Sequence, residues 1–148
     1  AQALPQTADE PEALLVNGLV IRQEREIYAE LDKPYVGGLS LLGGDPFEPE
    51  NQRALLPMLR RIREKYPQKN IWCYTGYQLE ELLTPGAHPH CEATEEMLSC
   101  IDILIDGRFI PEEKDISLQF RGSRNQRVID MNRTRQSGKI TPWDKLRK

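Results

Sequence analysis

The residues whose types are best suited to binding a ligand or to chemistry lie in three short loops. The first of these loops is Gly43-Gly44-Asp45-Pro46. Two adjacent glycines permit positive φ angles and let a ligand approach the backbone without meeting a Cβ atom. Their carbonyls can accept hydrogen bonds from an ammonium group, and Asp45 adds a full negative charge. The loop suits a cationic amine better than a phosphate, which would require a longer glycine-rich turn with a lysine. The same four residues are also typical of a plain turn.

Two further loops carry polar groups directly after predicted strands. Thr75 and Gly76 offer a hydroxyl and an uncovered stretch of backbone, a combination that is more often structural than ligand-binding. Asp106 ends a buried apolar strand, where an unpaired carboxylate would be costly. This carboxylate would bind a cation, accept a hydrogen bond from a ligand hydroxyl or cap the following turn. The residues alone favour the turn cap.

The segment His88-Pro89-His90-Cys91 superficially resembles a metal site. A structural zinc site needs four ligands at recognisable spacings, and the chain has no C-x2-C pair, so an ordinary loop is predicted. Cys73 in a predicted strand and Cys100 at a predicted helix end are expected to be buried packing residues. Three cysteines do not form a disulfide framework, which indicates a reducing, cytoplasmic protein.

The elements that position these loops alternate between strands and helices. Leu55, Leu59 and Ile62 recur at helical spacing, and Pro57 among them predicts either a kink or a late helix start. Strand–helix alternation implies right-handed crossovers, a parallel sheet with helices on its faces, and binding loops at the carboxyl ends of the strands. The predicted strands are 38–42, 71–75 and 101–105, the predicted helices are 23–31, 50–66, 78–83 and 93–100, and residues 1–12 are predicted to be loop.

Length and composition indicate a single domain. The chain has 148 residues, of which 39% are hydrophobic and 29% charged, and it is long enough to bury a core. We expect one domain over 1–148, with an irregular segment at 1–22 and a basic tail at 131–148. No apolar run approaches the ~18 residues of a membrane helix, and the acidic start is unlike a secretory signal.

Charge is divided unevenly along the chain. Residues 1–106 carry 9 Lys and Arg against 18 Asp and Glu, whereas residues 107–148 carry 11 against 5. Arg121, Arg124 and Arg127 lie in the densest polar stretch of the chain. This stretch would either bind a carboxylate, a phosphate or a protein surface, or simply form solvated surface. Nucleic acid is a poor candidate partner, because residues 121–148 offer a single aromatic side chain, Trp143, on which a base could stack.

Several stretches in combination carry a specific resemblance. They are YVGGLSLLGGDPFEPENQ, IWCYTGY, IDGRF and FRGSRNQR, which follow one another between Tyr35 and Asp130. In this order they closely resemble the activating proteins of anaerobic ribonucleoside-triphosphate reductases, a family within the radical S-adenosylmethionine (SAM) superfamily. The resemblance spans about two thirds of the chain.

The resemblance implies an α/β fold, specifically a parallel-sheet partial (β/α) barrel of the radical SAM type. It implies an oxidoreductase that uses SAM and a [4Fe–4S] cluster to generate a glycyl radical on the reductase. The expected partners are the reductase large subunit and an electron donor such as a flavodoxin-type protein. Because the reductase must present a backbone glycine, the activating protein must dock a large surface, and Arg121, Arg124 and Arg127 are the expected docking residues.

The resemblance also assigns a SAM site. The superfamily's GG(D/E)-type loop holds the methionyl ammonium of SAM, and it corresponds to residues 43–46 of this chain. The loop ends after the next two strands would face the same cofactor, an assignment that rests on position rather than on an identical motif. The expected SAM-binding residues are Gly43, Gly44, Asp45, Pro46, Thr75, Gly76 and Asp106.

One departure from the family concerns the cluster ligands. The family holds its cluster with three cysteines spaced C-x3-C-x2-C ahead of the glycine loop. Here Cys73, Cys91 and Cys100 are separated by 17 and 8 residues and follow that loop, so they cannot take this role. We therefore expect an N-terminally incomplete domain. Two functions remain open: an activating enzyme that is inactive without the cysteine segment, or a cluster-free, non-catalytic binding module of the same fold that docks to a reductase or another partner.

Overall fold

Five strands form one mixed sheet, and their order across the sheet is their order along the chain. The computed structural model describes residues 3–7, 27–29, 31–41 and 44–144. Three central strands run parallel, and the first and last strands are antiparallel to their neighbours. The strands are β1 (Ala3–Thr7), β2 (Val36–Leu41), β3 (Asn70–Tyr74), β4 (Ile103–Asp106) and β5 (Arg127–Asp130).

The main helix follows β2 and carries an apolar face. Pro49 occupies the first turn, where a missing backbone N–H costs nothing, and Leu55, Leu59 and Ile62 are fully buried. Pro57 lies inside this helix on an exposed position, so the predicted late start is wrong. The helices are α1 (Pro49–Lys65), α2 (Leu79–Leu82), α3 (Thr94–Ser99) and α4 (Met131–Ser137), with a 3-10 turn at Pro111–Glu113 and helical residues at 27–29 and 31.

The sheet has two apolar faces. On the helix face, Leu39, Cys73 and Leu104 pack with the buried side of α1. On the opposite face, Trp72 packs with Phe120 and Trp143, each with its ring centroid 5.0 Å from that of Trp72. Alternation along β3 places successive side chains on opposite faces, which separates Trp72 from Cys73.

Parallel pairing brings the carboxyl ends of three strands to one edge. Leu41 is opposite Cys73, and Cys73 is opposite Leu104. The backbone N–H of Thr75 then donates to the carbonyl of Ile105 at 2.9 Å, which extends the pairing beyond β3. The loops that follow β2, β3 and β4 are therefore neighbours.

The α/β prediction is confirmed, but the wholly parallel sheet is wrong. Two antiparallel strands, β1 and β5, were not predicted, and β1 corrects the expected loop at residues 1–12. The segment ALPQT contains a proline, which a sheet tolerates on an edge strand, so its composition did not indicate a strand. In the described ranges no helix is long and apolar enough to cross a membrane.

Candidate functional site

The carboxylate of Asp45 joins the loop after β2 to the loop after β3. Its Oδ1 accepts hydrogen bonds from the Phe47 N–H at 3.0 Å and from the Thr75 hydroxyl at 2.8 Å. Its Oδ2 accepts a hydrogen bond from the Gly76 N–H at 2.9 Å. A carboxylate offers about four lone-pair positions. The three contacts fix the group in place, and within the part of the chain that the structure describes they leave one position for a ligand donor.

Asn51 shapes the backbone of the glycine loop. Its amide nitrogen donates to the carbonyl of Gly44 at 2.5 Å and to that of Asp45 at 2.9 Å. Gly44 has a φ of 40°, in the left-handed region that favours glycine. Asn51 thus fixes the Asp45 carbonyl and the Gly44 carbonyl, and the latter is one of the two glycine carbonyls that were predicted to accept hydrogen bonds from an ammonium group. Gly43 lies outside the described residues, and Pro46 is buried beside Asp45.

Asp106, in the third loop region, is fully buried and paired. The Arg127 side chain donates from Nε to Oδ1 at 2.9 Å and from Nη2 to Oδ2. The Leu79 N–H, at the start of α2, donates to Oδ2 at 2.8 Å. The carboxylate therefore caps the start of α2, 27 residues earlier in the chain, and pairs with Arg127, whereas the residues alone favoured a cap of the turn that follows Asp106. These contacts leave Asp106 less able than Asp45 to meet a ligand.

The same contacts perturb the charged groups around Arg127. The carboxylates of Asp106 and Glu80 raise the pKa of Arg127 above its ordinary value, with Asp106 contributing most. In return, the hydrogen bond from Arg127 lowers the pKa of Glu80. Arg127, predicted to dock a partner, is therefore held at the sheet edge by two carboxylates.

Tyr77 and Glu48 form a second connection between the first two loops. The Tyr77 hydroxyl donates to Oε1 of Glu48, and Nε2 of His88 lies 3.1 Å from Oε2. Both contacts lower the pKa of Glu48, and the hydrogen bond from Tyr77 has the larger effect. Burial, and then the hydrogen bond to Glu48, raise the pKa of Tyr77 to about 12. At neutral pH the pair is a neutral phenol bound to a carboxylate.

A buried glutamine ties the His88–Cys91 loop to α1. Gln52 is fully buried and donates to the carbonyls of Phe47 and Pro89 at 2.8 and 2.6 Å. Its carbonyl oxygen accepts a hydrogen bond from the Thr94 hydroxyl at 2.6 Å, and the Cys91 thiol lies 3.4 Å away. The loop thus has an evident packing role.

The cysteines do not fit a shared cluster. Cys73 and Cys100 are buried, as predicted, and Cys91 is half-buried beside Gln52. Burial raises the pKa of both buried thiols, which disfavours the thiolate that an iron–sulfur cluster requires. Within the described residues, no group of three or more His, Cys, Asp or Glu side chains is placed to hold a metal ion.

The loop between β4 and β5 carries the other predicted docking residues. Its two arms are joined by hydrogen bonds from Asp115 N–H to the Gly122 carbonyl and from Arg124 N–H to the Glu113 carbonyl. The Arg124 side chain is exposed, and Arg121 donates to the carbonyl of Gln126 at 2.9 Å. Between the arms, the side chain of Ile116 is 92% exposed. We call residues 107–126 the β4–β5 loop.

Asn51, Glu48 and Tyr77 were not among the predicted site residues. All three lie within stretches that carried the resemblance, FEPENQ and CYTGY, which was the available signal. Asn51 contacts Asp45, 6 positions away, and Tyr77 contacts Glu48, 29 positions away, and no local periodicity marks such pairs.

Comparisons with known proteins agree with the motifs. The family described as "4Fe-4S single cluster domain" matches residues 17–129. An anaerobic ribonucleoside-triphosphate reductase-activating protein of Haemophilus influenzae is 47% identical over 89 residues, which cover 60% of this chain and 52% of that protein. Proteins of the same name from Escherichia coli K12 and phage T4 are 43% and 34% identical, covering 62% and 70% of this chain and 54% and 60% of their own lengths.

The chain spans about half the length of the curated relatives it matches. No solved structure gives a significant match.

Proposed function

This chain belongs to the 4Fe-4S single cluster domain family, and we propose that it acts in the activation of an anaerobic ribonucleoside-triphosphate reductase. The names of its relatives, at 34–47% identity, support this proposal. In full, the proposal is a cytoplasmic radical SAM enzyme that leaves a glycyl radical on the reductase, with a flavodoxin-type protein as electron donor. The fold would be the α/β sheet described above as part of a (β/α) barrel.

Within this proposal, the chain supplies the site for the amino-acid portion of SAM. The observation that carries it is the placement of Asp45, whose carboxylate is fixed by Thr75 and Gly76 at the edge where three strands end. One free lone-pair position on Asp45 and the ordered Gly44 carbonyl would accept hydrogen bonds from the methionyl ammonium. Gly76 adds exposed backbone next to Asp45.

The residues that the structure describes contain no ligand set for the iron–sulfur cluster named in the family description. The three cysteines of the chain are all described, and the burial of Cys73 and Cys100 and the separate surroundings of all three do not fit a shared cluster. The function proposed for these residues is therefore limited to holding SAM and presenting a docking surface. No step is assigned to a cluster held by them.

The proposed docking surface for the reductase is the β4–β5 loop. It starts at Gly107, whose N–H donates to the Tyr77 carbonyl, so the loop leaves directly from the SAM site. The exposed Arg124 guanidinium and the exposed Ile116 side chain give it a positive charge and an apolar contact. Arg121 and Arg127 hold the base of the loop through backbone and carboxylate contacts.

A second candidate function is a non-catalytic module that docks to the reductase without binding SAM. The separate placement of the three cysteines favours it. The candidates are distinguished by immobilising the reductase large subunit and measuring binding of this chain, together with a calorimetric titration of SAM into the chain. Activation predicts that the chain binds both. Binding of the reductase alone would favour the module, and binding of neither would contradict both candidates.

A further inference from the structure

Tyr77 contacts all three loops at the carboxyl edge of the sheet. Its backbone N–H donates to the Thr75 hydroxyl oxygen at 3.2 Å, within the loop after β3. Its backbone carbonyl accepts a hydrogen bond from the N–H of Gly107 at 3.0 Å, in the loop after β4. Its phenolic hydroxyl donates to Glu48, three residues after Asp45 in the chain.

The two ends of Tyr77 act on different partners. The hydroxyl bond is charge-assisted, because its acceptor is a carboxylate, and such bonds are shorter and stronger than neutral ones. Gly107 adopts a φ of 101°, in the region that strains a side chain, so glycine is favoured where the β4–β5 loop begins. The ring of Tyr77 is half-buried between these contacts.

The Asp45 bonds alone do not reach the third loop. They join the loop after β2 to the loop after β3 through Thr75 and Gly76. The Tyr77 carbonyl adds the loop after β4, and the Tyr77 hydroxyl adds a second connection to the loop after β2. Tyr77 is thus common to all three loops.

We propose that Tyr77 is a positioning residue: its hydroxyl bond to Glu48 and its backbone bond to Gly107 fix the three loops relative to one another. The consequence for ligand binding rests on the proposed function, in which the Asp45 and Gly76 loops hold SAM. Tyr77 itself needs no contact with SAM. It acts by maintaining the hydrogen bond from the Gly76 N–H to Asp45 and by holding the loop that starts at Gly107 next to these two residues.

The test compares Tyr77→Phe, Glu48→Ala and the double variant, because the two single changes break one bond from opposite sides. The first readout is amide hydrogen exchange at Gly76 and Gly107, which requires no ligand. Each single variant is expected to speed exchange at both amides roughly two- to tenfold, the range for loss of one hydrogen bond. The double variant is expected to match the single variants, since the two changes share one interaction.

His88→Ala is the matched control, because it removes the other side-chain hydrogen bond of Glu48 and the ring contact between His88 and Tyr77, and leaves the Tyr77 hydroxyl bond intact. It is expected to leave exchange at both glycines close to wild type, while exchange at Leu104 in β4 reports any general loss of stability. Unchanged exchange in Tyr77→Phe, or fully additive effects in the double variant, would overturn the inference. An acceleration of exchange at Leu104 equal to that at Gly76 and Gly107 would also overturn the inference.

SAM titration of the same variants is the second readout. Tyr77→Phe is expected to weaken SAM binding by a factor similar to its effect on exchange, and His88→Ala to leave it unchanged. If the wild-type chain binds no SAM, the proposed function fails, and the exchange data alone decide the role of Tyr77. If SAM binds the wild type and Tyr77→Phe equally while exchange is accelerated, the loops do not need Tyr77 to bind SAM and its positioning role is overturned.

Discussion

The fully buried carboxylate of Asp106 is paired with Arg127 directly across β4 and β5. The two residues are opposite each other in the antiparallel register, and the Arg127 Nε donates to Oδ1 of Asp106 at 2.9 Å. A second bond runs from Nη2 to Oδ2, so the planar guanidinium contacts both carboxylate oxygens. This pair joins the last parallel strand to the antiparallel edge strand.

Removing the arginine of this pair is expected to destabilise the protein strongly. Arg127→Ala leaves a buried carboxylate without its cation, a loss that costs about 3–5 kcal/mol in the free energy of unfolding. Adding Asp106→Asn to this variant is expected to recover part of the loss, because the uncompensated charge is removed. Urea denaturation of both variants measures these changes. Arg124→Ala is the matched control, and a loss in Arg127→Ala no larger than in this control would contradict the structural role.

The Glu48–Tyr77 bond makes a predictable contribution to pH dependence. Glu48 has a pKa below its ordinary value of 4.5 in the folded protein, chiefly because of the Tyr77 hydroxyl. Its stabilising contribution is therefore complete at pH values above the pKa of Glu48 in the unfolded chain. The contribution is lost as the pH falls through the lower pKa of Glu48 in the folded protein. The difference in unfolding free energy between wild type and Glu48→Gln is expected to be largest above pH 5.5 and to shrink below pH 4.5. A difference that grows on acidification would contradict the assignment.

The β4–β5 loop is expected to govern association with the reductase. Arg124→Glu should slow association and weaken its dependence on salt, because charge steering acts on the association rate and is screened over ~8 Å at physiological ionic strength. Surface-bound kinetics at low and high salt measure both effects. Arg53→Glu, on α1, is the control for a change of the same charge elsewhere. Equal slowing in the two variants would mean that net charge, and not this loop, controls docking.

Iron incorporation tests whether the three cysteines can hold an iron–sulfur cluster. Anaerobic reconstitution of this chain with iron and sulfide is expected to give no stable [4Fe–4S] cluster, because Cys73 and Cys100 are buried in the core. Iron analysis and the absorption spectrum measure the outcome. Near four irons per chain, with the spectrum of that cluster and loss of the signal in Cys91→Ser, would show that these cysteines are ligands.

Much of the fold was predictable because its parallel strands and main helix carry local patterns. The runs around Leu41, Trp72 and Leu104 are apolar and end at glycine or polar residues, and α1 has a regular apolar face. The convergence of Asp45 with Thr75 and Gly76 followed from one rule, that parallel strands end at a common edge.

The remaining features depend on contacts between distant residues. Strand β5 has only two buried side chains, Val128 and Ile129, and its pairing with β4 depends on Arg127 meeting a carboxylate 21 residues earlier. Likewise, nothing in the sequence near Tyr77 indicates Glu48 as its partner. Such pairs are set by tertiary packing, and the antiparallel edges of the sheet were therefore missed.

An NMR titration decides whether the Asp45 and Gly76 loops hold the amino-acid portion of SAM, as proposed. The amide resonances of this chain are followed by NMR during addition of SAM, and separately of methylthioadenosine, which lacks the amino-acid group. We expect saturable, localised shifts at Gly44, Phe47 and Gly76 with SAM and none at these amides with methylthioadenosine. We also expect SAM to bind Asp45→Ala at least ~tenfold more weakly than the wild type. Equal shifts at these amides with the two ligands would contradict this placement of the amino-acid portion. So would SAM binding that is unchanged in Asp45→Ala.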